Sequence, residues 1–451
     1  MRSPLTSTVV HQPDPPWWEQ WAAGFVVVML TGAVLGPIFA PDQGEAPILR
    51  LVWPPIYLIT LTLVLVRFRD MCRAWPAWIA VLLLVGLAFS SKYWSIFAEV
   101  TQRRTIAMAM TSIFAVYLGA AFRGIALPRL LMHAGLVMGV GSLVMIFAMP
   151  SIGVHHDVNA GLWRGLWYEK NQMGLVMVIT AVSAAACLAA GDPRRLIPFA
   201  TLGLSTLLIL GTQSKTSLLC LVLGVGLIGG LWMLRRGGPA LMVVAVWLGV
   251  VAVAFGAWLW STESGEILEA LGKDPSLTGR TDIWASLMRR VAERPLTGYG
   301  YAAFWGPHSE PAAFVRQETQ WIVPSAHNGW IDLLVQVGWP GTFLVGAILA
   351  IAAICLIVRL PQQGAREGWW SLSYLTVFIL LSLSESVILT HQHLPWALVL
   401  AIVARATMRE PTAARAPAAA LAPRPRAAYV TGSRIAAQSR HGSLRRSFPV
   451  R

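Results

Sequence analysis

Apolar runs close to the width of a bilayer's hydrocarbon core recur along this chain from Trp21 to Met408. A helix needs about 20 residues to cross that core. Inside it, backbone amides and carbonyls have no water to bond, so only helices or closed barrels can span. Here the runs are continuous, not alternating in roughly ten-residue strands, which argues against a barrel. The expected fold is all-α, a polytopic transmembrane helix bundle of about 12 spans. These fall near 21–40, 47–66, 76–94, 104–121, 128–149, 172–190, 195–211, 214–233, 239–260, 340–358, 369–388 and 393–408. Of the 451 residues 12% are charged, about half the share of a soluble domain.

A net charge of +14 would fit a nucleic-acid binder were it not for its distribution. With the N-terminus inside, the inner connections and span edges carry Arg67, Arg69, Arg73, Arg123, Arg129, Arg194, Arg195, Arg235, Arg236, Arg359 and Arg366. Arg2, Arg405 and the arginines of the C-terminal tail fall on the same side. That asymmetry follows the positive-inside rule, so both termini are expected in the cytoplasm and no nucleic acid is implied. Cys72, Cys187, Cys220 and Cys355 are scattered, without a zinc, haem or disulfide spacing. The first span lacks a cleavable-signal pattern and is expected to act as an uncleaved anchor.

Five stretches result: a cytoplasmic segment over 1–20, spans over 21–260, a large outer loop domain over 261–339, spans over 340–408 and a tail over 409–451. The tail is rich in Ala, Pro, Arg and Ser, and is expected to be disordered. The outer loop begins with Glu263, Glu266 and Glu269; a helix is expected over 281–293, where Ile283, Trp284, Leu287, Met288 and Val291 recur at helical spacing. Gly298-Tyr299-Gly300 reads as a turn. A short helix over 327–337 is expected to end at Gly338 and Pro340.

The candidates for chemistry lie on the outer side. His327 stands where this loop returns to the membrane, and imidazole is the side chain that exchanges protons near neutrality. A residue that caps the following helix is the alternative. Arg280 follows Gly279, and its planar guanidinium could hold two oxygens of a diphosphate or simply pair with Asp282. Lys215 sits in Thr212-Gln-Ser-Lys-Thr-Ser217, close to membrane depth, where a cation either snorkels or meets an anion. Arg164, Lys170 and Asn171 stand among Trp163, Trp167 and Tyr168, a grouping that suits either interfacial anchoring or a sugar-binding mouth. Asn328 adjoins His327, while Glu385 is a weaker candidate. His391 and His393 alone do not make a metal site. No phosphate-binding loop, dinucleotide fingerprint or nucleophile elbow is present.

Through Trp163-Arg-Gly-Leu-Trp-Tyr-Glu-Lys170-Asn-Gln-Met-Gly174, Gln213-Ser-Lys-Thr-Ser217, Gly279-Arg280 to Gly298-Tyr-Gly300, and Ala326-His327-Asn328 to Gly338-Trp-Pro-Gly341, the chain resembles the O-antigen ligase and Wzy-type polymerase family, particularly exopolysaccharide polymerases. Ser91-Lys-Tyr-Trp-Ser95 fits the same pattern. The likeness covers about 85–345. It implies glycosyl transfer at the periplasmic face of a bacterial inner membrane, from an undecaprenyl-diphosphate-linked oligosaccharide, with no cofactor or metal. His327 would then be the base and Arg280 the stabiliser of the leaving diphosphate. Lys215 stands where the family usually carries arginine, and Arg164, Lys170, Asn171 and Asn328 would bind substrate. Membrane lipid, a flippase and a chain-length-control protein are the implied partners. Transfer to lipid A-core, as in the ligases, is the alternative within the family. Transport of the same lipid-linked saccharides is the rival from another class, but it predicts repeated halves and polar residues at the midplane.

Overall fold

The computed structural model describes residues 14–33, 47–156, 159–236 and 280–408, all within one unit, Gln12–Arg409. The segment before Asp14, the expected span 239–260, the acids Glu263, Glu266 and Glu269, Asp157, Gly279 and the tail 409–451 lie outside the described residues. In chain order the main helices are α1 (Trp17–Leu30), α2 (Pro47–Val66), α3 (Trp75–Ser90), α4 (Ala98–Ala121), α5 (Ala126–Ala148), α6 (Lys170–Ala189), α7 (Leu196–Thr212) and α8 (Lys215–Arg236). After the undescribed stretch come α9 (Arg280–Glu293), α10 (Glu310–Thr319), α11 (Gly329–Gln363), α12 (Gly368–Ser382) and α13 (Leu394–Thr407). Among the described residues, β-structure is limited to an isolated bridge between Val154 and Trp163.

Every expected span except 239–260 overlaps one of these helices. Among the described residues, six helices are long and apolar enough to cross a membrane, and four shorter apolar helices of 10–17 residues accompany them. The chain is thus a multi-pass helical membrane protein. Burial separates centre from periphery: the apolar windows of α4 and α6 are 72% and 83% buried, whereas those of α3, α8 and α11 are 28% buried. Hydrocarbon offers no hydrophobic drive between helices, so close approach depends on small residues. Gly119 of α4 illustrates this, because a Cβ there would lie 2.3 Å from the carbonyl oxygen of Ala401 on α13.

One end of the bundle is held by arginine–carboxylate pairs. The Arg67 guanidinium donates to both oxygens of buried Glu19 at 2.8 and 2.7 Å, and the Tyr117 hydroxyl donates to the same carboxylate at 2.8 Å. Arg123 reaches Asp70 at 3.1 Å, Arg129 reaches Asp192 at 3.0 Å, and Arg405 pairs with Glu367. Burying Glu19 without Arg67 would leave an uncompensated charge, a cost of several kcal/mol.

At the opposite end, α9 and α10 stand outside the spans. Ile283, Leu287 and Val291 of α9 form a second small core with Tyr299, Phe304, Val315, Val323, Ala326 and Val335. This helix fulfils the expectation for 281–293. The expectation for 327–337 also holds: a short helix runs from Gly329 to the break at Gly338, where non-helical backbone separates it from the span that makes up the rest of α11. Gly338 has φ 68°, which a side-chain-bearing residue adopts only with strain. The freed Trp339 amide donates to the Pro295 carbonyl at 2.8 Å.

Candidate active site

The segments carrying the sequence candidates meet at the α9–α10 end. The turn after α3 is sewn to the glycine turn after α9: Ile96 N–H donates to Tyr299 O at 3.1 Å, and Trp94 Nε1 donates to Thr297 O at 2.9 Å. Gly300 (φ 101°) lies so close to Ser95 that a Cβ would come within 2.3 Å of its hydroxyl. The Tyr301 hydroxyl then reaches the Leu389 carbonyl at 2.8 Å. Further round, Trp163 N–H donates to Gly211 O at 3.1 Å and connects the tryptophan-rich loop to the Lys215 turn.

His327 is held by its neighbours. Trp284 Nε1 of α9 donates to the Ala326 carbonyl at 2.9 Å, and the Trp321 ring stacks on the imidazole at 5.7 Å with a 6° interplanar angle. His327 itself has φ 47°, an uncommon conformation for a residue other than glycine. Its Nδ1 lies 3.8 Å from Glu385 Oε2, and neither ring nitrogen has a hydrogen-bond partner among the described residues. Capping falls to Asn328, whose Oδ1 accepts from the amides of Trp330 and Ile331 at 3.0 and 3.2 Å. That oxygen is therefore committed to the helix start, and His327 is free of the capping role.

Arg280 opens α9. Its Nη1 donates to the Ser384 carbonyl at 3.0 Å and its Nη2 lies 3.8 Å from Glu385 Oε1. The same oxygen accepts from Asn171 Nδ2 at 3.2 Å, in the first turn of α6. Glu385, in the connection between α12 and α13, is thus the meeting point of His327, Arg280 and Asn171. In the sequence Glu385 is only a weak candidate, because nothing local distinguishes a lone acid near a span end. Its importance comes from partners far away in the chain.

The remaining candidates sit around this group without a direct contact to Glu385 among those observed. Lys215 is exposed at the start of α8, following a turn in which the Ser217 hydroxyl bonds the Ser214 hydroxyl at 3.0 Å. That turn packs on α6, where a Cβ on Gly174 would lie 2.3 Å from the Ser217 hydroxyl. Lys170 begins α6, and its backbone amide donates to His155 Nε2 at 3.2 Å. Arg164 spends two donors on its own loop, at 2.7 Å to Ile152 O and 3.2 Å to Ser151 O. His391 lies behind the site with its ring edge-on to Tyr301. Burial and then the nearby Arg104 push its imidazole down to about 3, so it stays neutral at physiological pH. No group of three or more His, Cys, Asp and Glu able to hold a metal occurs among the described residues.

Such an arrangement supplies an imidazole with a carboxylate 3.8 Å from one nitrogen, and a guanidinium 3.8 Å from the same carboxylate. It suits proton removal next to a developing anion. Residues 200–346 match the family model described as O-Antigen ligase. The chain is also 26% identical over 357 residues to the exopolysaccharide production protein ExoQ of Rhizobium meliloti (strain 1021), covering 75% of this chain and 79% of that protein. The resemblance to the O-antigen ligase and Wzy-type polymerase family is thereby borne out.

Proposed function

We propose that this chain, a membrane protein of the O-antigen ligase and polymerase type, joins oligosaccharide units carried on undecaprenyl diphosphate into an exopolysaccharide at the periplasmic face of the bacterial inner membrane. The observation that carries the proposal is the convergence of His327, Arg280 and Asn171 on Glu385. In the reaction, an acceptor hydroxyl oxygen bonds to the anomeric carbon of the donor. The bond from that carbon to the diphosphate oxygen breaks, and its electron pair leaves with the lipid diphosphate. His327 Nε2 takes the hydroxyl proton. Direct displacement of this kind inverts the anomeric centre.

The geometry supports each role. With Glu385 facing Nδ1, the tautomer protonated there leaves Nε2 free to accept, and the carboxylate steadies the imidazolium as it forms. Arg280 is already fixed by Ser384, so it needs little reorganisation as negative charge grows on the diphosphate; preorganised charge of this kind usually contributes most to such transfers. Lys215 offers a second cation for the diphosphate, as a point charge without the fork of a guanidinium. Lys170, Asn171, Arg164 and Asn328 line the approach for sugar, and neither metal nor nucleotide is required. A flippase delivering the donor and a chain-length-control protein are the implied partners.

The match over 200–346 to the O-Antigen ligase model supports a second reading, transfer of a finished glycan to lipid A-core or another acceptor. One assay separates these. Purified protein in lipid is given lipid-linked oligosaccharide, and products of wild type, His327→Ala and Glu385→Gln are compared. A ladder of longer glycans identifies a polymerase, and a single transfer to added lipid A-core identifies a ligase. His327→Ala should lower the rate by about 10²–10⁴-fold, the usual worth of a positioned base. Glu385→Gln should also slow turnover while donor binding persists. Substrate that crosses the bilayer unmodified, equally in all three proteins, would instead identify a transporter.

A further inference from the structure

A cavity of about 390 Å³ opens between the ends of α6, α7 and α8, at the arginine-rich end of the bundle and away from Glu385. Its size lies within the ~300–1,000 Å³ usual for ligand sites. The walls are apolar, with Leu188, Phe199, Leu202, Val225 and Ile228 among them. Two cations stand in the lining, Arg195 at the start of α7 and Arg236 at the end of α8. The Arg236 guanidinium lies 4.3 Å from the centre of the Trp232 ring, which also lines the cavity. No Asp or Glu contributes to the described lining. The nearby carboxylate, Asp192, is taken by Arg129 at 3.0 Å and by the Arg194 amide at 3.0 Å.

An apolar trough whose guanidinium groups meet no carboxylate among the described residues, beside an amphipathic indole, matches one chemistry, acyl chain below and anionic head group above. Guanidinium binds phosphate oxygens in pairs, and tryptophan favours the head-group level. α8 leaves most of its apolar window unburied by the protein, so a lipid can enter sideways. We propose that this cavity seats an anionic phospholipid of the leaflet at the arginine-rich end, its phosphate held by Arg195 and Arg236. This site is separate from glycosyl transfer, and its test does not depend on that activity.

The test is a native mass-spectrometric titration of the purified full chain with dioleoylphosphatidylglycerol and, separately, dioleoylphosphatidylcholine. Three variants accompany wild type: the double substitution Arg195→Gln with Arg236→Gln, Gly229→Phe, and Arg69→Gln. Gly229 lines the cavity and has nothing within 4 Å of an added Cβ, so a phenyl ring there fills the space without clashing at its base. Arg69 is an exposed arginine elsewhere at the same end. Phosphatidylglycerol should bind more tightly than phosphatidylcholine. The double substitution should weaken it about 30-fold, at roughly tenfold or less per cation. Gly229→Phe should remove the same bound lipid with both arginines intact, and Arg69→Gln should leave it. Equal binding of the two lipids, or an equal loss in Arg69→Gln, would overturn the proposal. Persistence of the bound lipid in Gly229→Phe would do so too.

Discussion

At the residue scale, His327 and Arg280 stand out in the sequence, one where the outer loop returns to the membrane and the other directly after Gly279 in the same loop. Glu385 does not, since its significance rests on Asn171, 214 residues away, and on Arg280, bonded to the adjacent Ser384 across 104 residues. Asn328 caps α11 through its Oδ1, and Arg164 braces its own loop through two of its donors; the side-chain nitrogens left over are those the proposal gives to sugar. His391 gives a prediction that concerns stability alone. Its imidazole is held down to about 3 in the folded protein, against 6.5 for the free side chain. Between those values the unfolded chain takes up a proton that the folded one refuses, so folding stability falls as pH falls. His391→Gln should flatten the decline in melting temperature between about pH 6 and pH 4. An unchanged slope would show that His391 is not buried neutral.

At the element scale, hydrophobic periodicity located the helices well, because the need to satisfy the backbone in hydrocarbon acts on each segment separately. The amphipathic α9 was equally visible, since its apolar stripe needs a partner and finds one in the second core. The local pattern also located the end of the short helix at Gly338. Glycine and proline there mark the break, and the following span begins on the far side and runs on to Gln363. The break is fixed by tertiary contact, because a Cβ on Gly338 would lie 2.6 Å from the Leu296 carbonyl carbon. Gly338→Ala should therefore destabilise the protein by roughly 1–3 kcal/mol, from the positive φ and the backbone clash together. Gly346→Ala, in the same helix with only an ordinary contact at 4.0 Å to Trp330, should be neutral or slightly stabilising. Thermal melting of both variants checks the pair, and equal effects would refute the strained-turn account.

At the scale of the whole molecule, the two ends of the bundle divide the work. One is a set of arginine–carboxylate pairs together with the proposed lipid cavity; the other gathers the loops around Glu385. By the positive-inside rule the arginine-rich end is expected in the cytoplasm. Native Cys72, exposed in the short helix Phe68–Arg73, and an Ile322→Cys substitution at a position 82% exposed near His327 report on the two ends. A membrane-impermeant maleimide should label position 322 in intact cells with permeable outer membranes, and Cys72 only after the inner membrane is opened. The reverse order would invert the topology and place the site in the cytoplasm. Sequence alone determined that this chain crosses membranes as helices, because hydropathy and the need to pair backbone groups act segment by segment. Tertiary structure alone decided that Glu385 joins Asn171, Arg280 and His327, that Asn328 caps a helix, and that Arg195 and Arg236 share a cavity. Those relations depend on which helix ends become neighbours, and helix packing sets that through close approaches such as Gly119 against Ala401.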